Sequence, residues 1–136
     1  MQNPSNLTGK WLYRSFHNIA DSKEPPKIFG QGDFNLLPAA YGELVAEFDF
    51  GKSFQMKVNG VISFGNPYAL RFQAKGIKGT QSEDWVYDYK GYLVPNWAEG
   101  INQVPAIVGS VIRSEPHGQN QAGYVASFIM LKKDEE

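Results

Sequence analysis

The sequence predicts an all-β fold: eight antiparallel strands in an up-and-down meander, closed into one barrel domain over residues 1–136. Three observations lead there. The composition suits strands and tight turns, with 9 Phe, 7 Tyr, 3 Trp, 14 Gly and 8 Pro in a chain only 20% charged. Apolar residues recur at every second position almost throughout, and no helical i, i+3, i+4, i+7 spacing persists without a Gly or Pro interrupting it. The joints Pro38-Ala39-Ala40, Gly51-Lys52 and Gly65-Asn66-Pro67 are short, and strands so joined pair antiparallel. A strand content this high fits a sheet closed on itself, which leaves no edge.

The first strand, Leu7–His17, places Trp11, Tyr13, Ser15 and His17 on one face and Lys10, Leu12, Arg14 and Phe16 on the other, so either choice buries something polar. After the Ser/Lys/Pro-rich Asn18–Pro26 comes Lys27–Leu37, in which Gly30-Gln31-Gly32 marks a bulge or bend. Tyr41–Phe50 sorts cleanly, with Leu44, Ala46, Phe48 and Phe50 inward and Glu43, Val45, Glu47 and Asp49 outward. Ser53–Phe64 sets Phe54, Met56, Val58, Ile62 and Phe64 against Gln55, Lys57 and Asn59. Tyr68–Ile77 sets Tyr68, Leu70, Phe72 and Ala74 against Arg71, Gln73 and Lys75. In Asp84–Val94, Trp85, Tyr87, Tyr89 and Leu93 share a face opposite Asp88 and Lys90. An interior carrying Tyr, Ser and His beside Trp suits a site that orients a small molecule. The last strands, Pro105–Ser114 and Gly123–Lys132, follow the loops Pro95–Val104 and Glu115–Ala122 and are apolar on both faces. Double-sided apolar strands imply a packed loop or an interface between subunits, and with no helix in the remaining sequence to cover them the interface is preferred, in a homodimer or homotetramer.

Charge and composition exclude several partners. Thirteen basic against fourteen acidic residues, a net charge of -1, leave no electrostatic footprint for nucleic acid or an anionic membrane. No apolar run approaches the ~18 residues of a spanning helix, and Met1–Asn6 has neither a positive start nor an apolar core, so the expected location is cytoplasmic. An inverted, outer-membrane barrel would line its lumen with Lys10, Arg14, Lys57 and Arg71, against the apolar rows of the last strands. With no Cys, disulfides, thiolate nucleophiles, iron–sulfur clusters and cysteine-ligated zinc are all excluded.

Gly9-Lys10-Trp11, opening the first strand of an eight-stranded meander, resembles the G-x-W signature of the calycin barrels, whose Trp plugs one end. Leu7–Trp11 is similar to the start of avidin and streptavidin, Gly42–Phe48 to their G-E-F-T-G-T-Y strand, and Val108–Ser114 takes the place of their apolar W-L-L strand. The resemblance implies a ligand-holding, oligomeric barrel. It does not carry biotin with it. The positions of the family's strand-one Asn and Ser are Tyr13 and His17, that of its strand-three Tyr is Phe48, and Ser127 stands at or beside its last-strand Asp. A Phe in place of a donor to the ureido oxygen deletes that hydrogen bond outright.

Little in the chain supplies catalysis. The only two histidines, His17 and His117, are too far apart for a helical metal motif, and Glu43, Glu47 and Asp49 spread over ~13 Å of one strand face, too far to grip one ion. No metal or other cofactor is expected, and hydrolase and nucleotide-binding motifs are absent. The expected function is binding of a partly apolar small molecule among Trp11, Tyr13, His17, Phe48, Trp85, Tyr87, Tyr89 and Ser127. Two alternatives remain open. One is an isomerase- or cyclase-type enzyme drawing on a sparse set, His17 at the barrel mouth, His117 in the last loop and Tyr87 and Tyr89 on one inner row, with His17 and a Tyr polarising a carbonyl or moving a proton. The other is an oligomeric assembly module whose aromatics fill the barrel. His117, between Pro116 and Gly118, is accounted for by turn geometry.

Overall fold

In the computed structural model, which describes residues 3–4, 6–51 and 53–133, the alternating segments become eight strands. They are β1 (Gly9–His17), β2 (Ile28–Leu36), β3 (Glu43–Asp49), β4 (Gln55–Ser63), β5 (Ala69–Gly76), β6 (Val86–Leu93), β7 (Ala106–Arg113) and β8 (Val125–Lys132). Lys52 of the Gly51-Lys52 joint, and Met1, Gln2 and Ser5 of the polar start, lie outside the described residues. Each strand pairs antiparallel with the next and β8 returns to β1, closing an up-and-down barrel compatible with a calycin-like fold.

Period two decides what is inside. β3, β4 and β5 bury Leu44, Ala46, Phe48, Met56, Val58, Ile62, Leu70, Phe72 and Ala74, while their charged residues Glu43, Glu47, Lys57 and Arg71 face out. β1 turns Trp11, Tyr13 and Ser15 inward, and Ser15 satisfies its buried hydroxyl by donating to the Gly30 carbonyl at 3.3 Å. Lys10 is therefore exposed on the outer face, as are Lys57 and Arg71. β7 and β8 bury Val111, Ala126, Phe128 and Met130 and leave Val108, Ile112 and Val125 partly exposed on the outer wall.

The one irregular step in the β1–β2 ladder falls just before Gly30-Gln31-Gly32, whose residues pair in register with Ser15, Arg14 and Tyr13. Ser15 pairs with Gly30 and Phe16 with Ile28, so Phe29 is the extra residue of a bulge. That half-step turns the Phe29 ring against the interior. Gly32 is required by close approach: a Cβ there would lie 2.4 Å from the Asp49 carbonyl oxygen and 2.9 Å from the Phe50 ring.

The barrel is sealed at the end where β1 begins. Trp11 is fully buried and donates its indole N–H to the Leu7 carbonyl at 2.9 Å, and Leu7 is itself fully buried. Asn3 fixes the leading segment over this end, donating to the Glu43 carbonyl at 2.6 Å and accepting from the Gly42 amide at 2.8 Å. Above Trp11 the lumen is filled by rings. Phe34 lies 4.8 Å from Phe48, Tyr89 stacks on Phe72 at 4.7 Å, and Tyr13 meets Phe48 edge-on at 4.9 Å. Among the described residues no helix is long and apolar enough to cross a membrane.

Candidate functional site

At the opposite end the rings stop and the lumen widens into a cavity of about 410 Å³. Its floor is Tyr13, Tyr89 and Met56, and its apolar wall comes from Phe29, Phe50, Phe54 and Trp85. The lining also carries polar groups, Tyr87, Arg113 and His117 packed against Phe29 and Trp85, together with Ser15, Gln31 and Asn120. A second cavity of about 550 Å³ adjoins it at the rim, sharing Phe29, Arg113 and Asn120 and adding His17 and Tyr124.

Local structure explains how these side chains reach the mouth. The β5–β6 connection folds back through a buried Ser82, whose hydroxyl donates to the Gln55 carbonyl at 2.9 Å and whose carbonyl accepts from the Trp85 amide at 2.9 Å. This fold-back needs Gly76, where a Cβ would meet the Ser82 carbonyl oxygen at 1.5 Å. It delivers Trp85 to the wall. In the β7–β8 connection, His117 and Asn120 exchange backbone hydrogen bonds at 3.1 and 3.0 Å, a narrow turn that lays the His117 ring on Trp85, 4.7 Å between centroids and 21° between planes.

Arg113 ends β7 on the inward face, in line with Val111, and is only 8% exposed. Its Nε donates to the Tyr87 hydroxyl at 3.1 Å and its Nη1 to the Gln121 carbonyl at 3.1 Å. The guanidinium carbon sits 5.4–5.7 Å from the ring centres of Phe29, Tyr87 and Tyr124, so three aromatic faces surround the charge. His117 is tied to the same hydroxyl, its Nε2 2.7 Å from the Tyr87 oxygen. Burial holds its pKa below the ordinary 6.5, and the Arg113 charge pushes the same way against a smaller opposing effect of Asp84.

The floor is neutral too. Burial pushes the Tyr13 phenol up to about 12, and Tyr89, whose hydroxyl lies 3.4 Å from that of Tyr13, is raised well above its ordinary value by burial and by that neighbour. At neutral pH both are uncharged hydroxyls rather than proton-abstracting phenolates.

Of the residues expected from sequence, Tyr13, Trp85, Tyr87 and Tyr89 come together around the main cavity. Phe48 lies one layer below, behind Tyr13 and Tyr89, and Trp11 is at the sealed end. His17 sits on the rim, facing the second cavity, with its Nδ1 hydrogen-bonded to the Tyr124 hydroxyl. Ser127 is a correction: it is exposed on the outer wall of β8 and donates to Asn18 Oδ1 at 2.7 Å, so it does not reach the lumen. Its neighbours Ala126 and Phe128 are the inward pair. Arg113, Phe29 and His117 had not been placed at the site. For Arg113 a signal existed, since it shares the inward parity of Val111 at the end of an apolar strand. Among the described residues no group of three or more His, Asp or Glu is gathered as for a metal ion. No known protein family, curated protein or solved structure matches the chain.

Proposed function

We propose that this protein binds a small, partly apolar molecule in the mouth cavity and releases it unchanged. One observation carries the reading: the barrel is packed with rings up to Tyr13 and Tyr89, then opens into a cavity of about 410 Å³ lined by aromatic rings and a few polar side chains, Arg113, His117 and Tyr87 among them. That pairing of a large apolar surface with a few convergent polar groups is how small-molecule sites achieve both affinity and orientation. Phenols on the floor that burial keeps neutral support holding over proton transfer. His17, engaged with Tyr124 on the rim, is remote from the floor of this cavity.

The reading extends to an avidin-like variant of the calycin barrel with its biotin site rewritten. The sealed Trp11 end supports that likeness, and the mouth lined by Tyr13, Arg113 and His117 supports a different ligand. Self-association through β7 and β8 belongs to the same proposal, on the strength of Val108, Ile112 and Val125, each 37–43% exposed on one wall. Sedimentation equilibrium of the wild type against Ile112→Lys tests it, with a lighter species expected for the variant; a wild-type monomer overturns it.

Thermal melting against a chemically broad set of lipophilic compounds tests the main proposal. A ligand present at 100 times its Kd stabilises by about 2.7 kcal/mol, a shift of several degrees for a domain this size. The variant Asn120→Trp, which sets a large ring over the mouth from an exposed loop, is expected to abolish that shift. A set in which no compound raises Tm, or a shift that survives in Asn120→Trp, overturns the reading.

A further inference from the structure

Arg113 gives the cavity a charge that its own lining does not balance. The side chain is more than nine-tenths buried and borders both mouth cavities, and neither lining contains an Asp or Glu. The ion pairs among the described residues are Lys27 with Glu24 and Lys133 with Asp33, both on the surface and neither involving Arg113. Burying a cation is costly unless it is paired. Three ring faces and two hydrogen bonds offset part of that cost and, more usefully, fix the guanidinium plane. A guanidinium carries five N–H donors; the bonds to Tyr87 and Gln121 use two, and the others have no acceptor among the described residues.

A fixed guanidinium fork bordering a cavity, short of acceptors and of negative charge, is a receptor for a planar anion. We infer that the natural ligand is a monoanionic acid with a flat, apolar body, its carboxylate paired with Arg113 and its body against Phe29, Phe50, Phe54 and Trp85. This rests on the proposed binding function and narrows it to one ligand class. The acid carries one charge because the site does. His117 is neutral, its burial and the adjacent Arg113 both opposing a second cation. The aromatic wall accounts for the flat body, since ring faces and edges contact a planar ligand over most of its area.

The test uses a matched pair, 2-naphthoate and the uncharged 2-naphthamide, which share shape and differ in charge. Binding to the whole protein is followed by displacement of the neutral fluorophore N-phenyl-1-naphthylamine. The wild type is expected to prefer the acid by about tenfold or more, the range of one charge-assisted hydrogen bond. In Arg113→Gln the ratio of acid to amide affinity collapses to within about twofold; Arg113→Lys, which keeps the charge and loses the fork, falls between. Because Arg113 also tethers Gln121, the wild-type comparison stands without either variant. Equal binding of acid and amide by the wild type overturns the ligand class and leaves the binding function intact. Failure of the fluorophore, the acid and the amide all to bind overturns both.

Discussion

Replacing Tyr13 by Phe separates the neutral floor of the cavity from every other feature of the barrel. Tyr13 is 1% exposed and its phenol is pushed from 10.0 to about 12, chiefly by burial. At neutral pH the substitution removes a long hydroxyl contact to Tyr89, 3.4 Å, and an interaction with the Ser15 hydroxyl, so a loss of about 1 kcal/mol is expected. Alkaline pH reverses the balance. A folded pKa above the unfolded one means that the unfolded chain releases the proton first, so the stabilisation present below pH 10 is lost as pH rises through 10 toward 12. At pH 11 the unfolded phenol is about nine-tenths ionised and the folded one about one-tenth, a difference of ~1.4 kcal/mol. Tyr13 also raises Tyr89, so its removal relieves a second phenol in the same direction. Urea unfolding at pH 8 and pH 11 is the assay. The wild-type midpoint should fall by about 0.5–1 M more than that of Tyr13→Phe across this interval. Parallel falls would mean that Tyr13 ionises freely in the folded protein, and the packed floor on which the cavity stands would be refuted.

Other predictions follow from the mouth itself. His117 has the opposite linkage, because its folded pKa lies below 6.5: the unfolded chain takes up the proton first, and stability present above that pH is lost as pH falls. Acid titration of stability should therefore be steeper below pH 6.5 in the wild type than in His117→Gln, and identical slopes would contradict the neutral ring. Gly32→Ala drives a methyl to 2.4 Å from the Asp49 carbonyl oxygen and against Phe50, so it should cost about 1–3 kcal/mol in denaturant unfolding and weaken ligand binding by displacing that wall. Trp11→Phe leaves the buried Leu7 carbonyl without its donor, at about 1–3 kcal/mol, yet lies at the far end and should leave ligand affinity unchanged.

The fold was legible because nearly every strand alternates and because the joints around β3 and β4 are short. β3 is the plainest case: Leu44, Ala46 and Phe48 are buried while Glu43, Glu47 and Asp49 are exposed, as period two requires. The bulge expected at Gly30-Gln31-Gly32 falls one residue earlier, at Phe29, while the three residues themselves pair in register. The site was less legible, for reasons of parity and register. Ser127 was reached by likeness to another family's strand, and a one-residue offset in a strand turns a side chain from the lumen to solvent. Phe29 reads as outward by strict alternation, and only the unpaired extra residue at the bulge brings it inside. His117 reaches Tyr87 through a loop whose path no periodicity encodes. Arg113 shows the limit of hydropathy as a guide, since a charged residue at a strand end reads as a solvent-facing terminus until the ring faces around it are known.

The central claim is that the mouth cavity holds a small molecule. Native mass spectrometry of the protein purified gently from its own host, repeated under denaturing conditions, tests it most directly. The account predicts a non-covalent mass that accompanies the folded protein, leaves on unfolding and is detected as an anion. A folded protein whose mass is that of its chains alone, with no acid or neutral lipophile that it takes up when added, would contradict it.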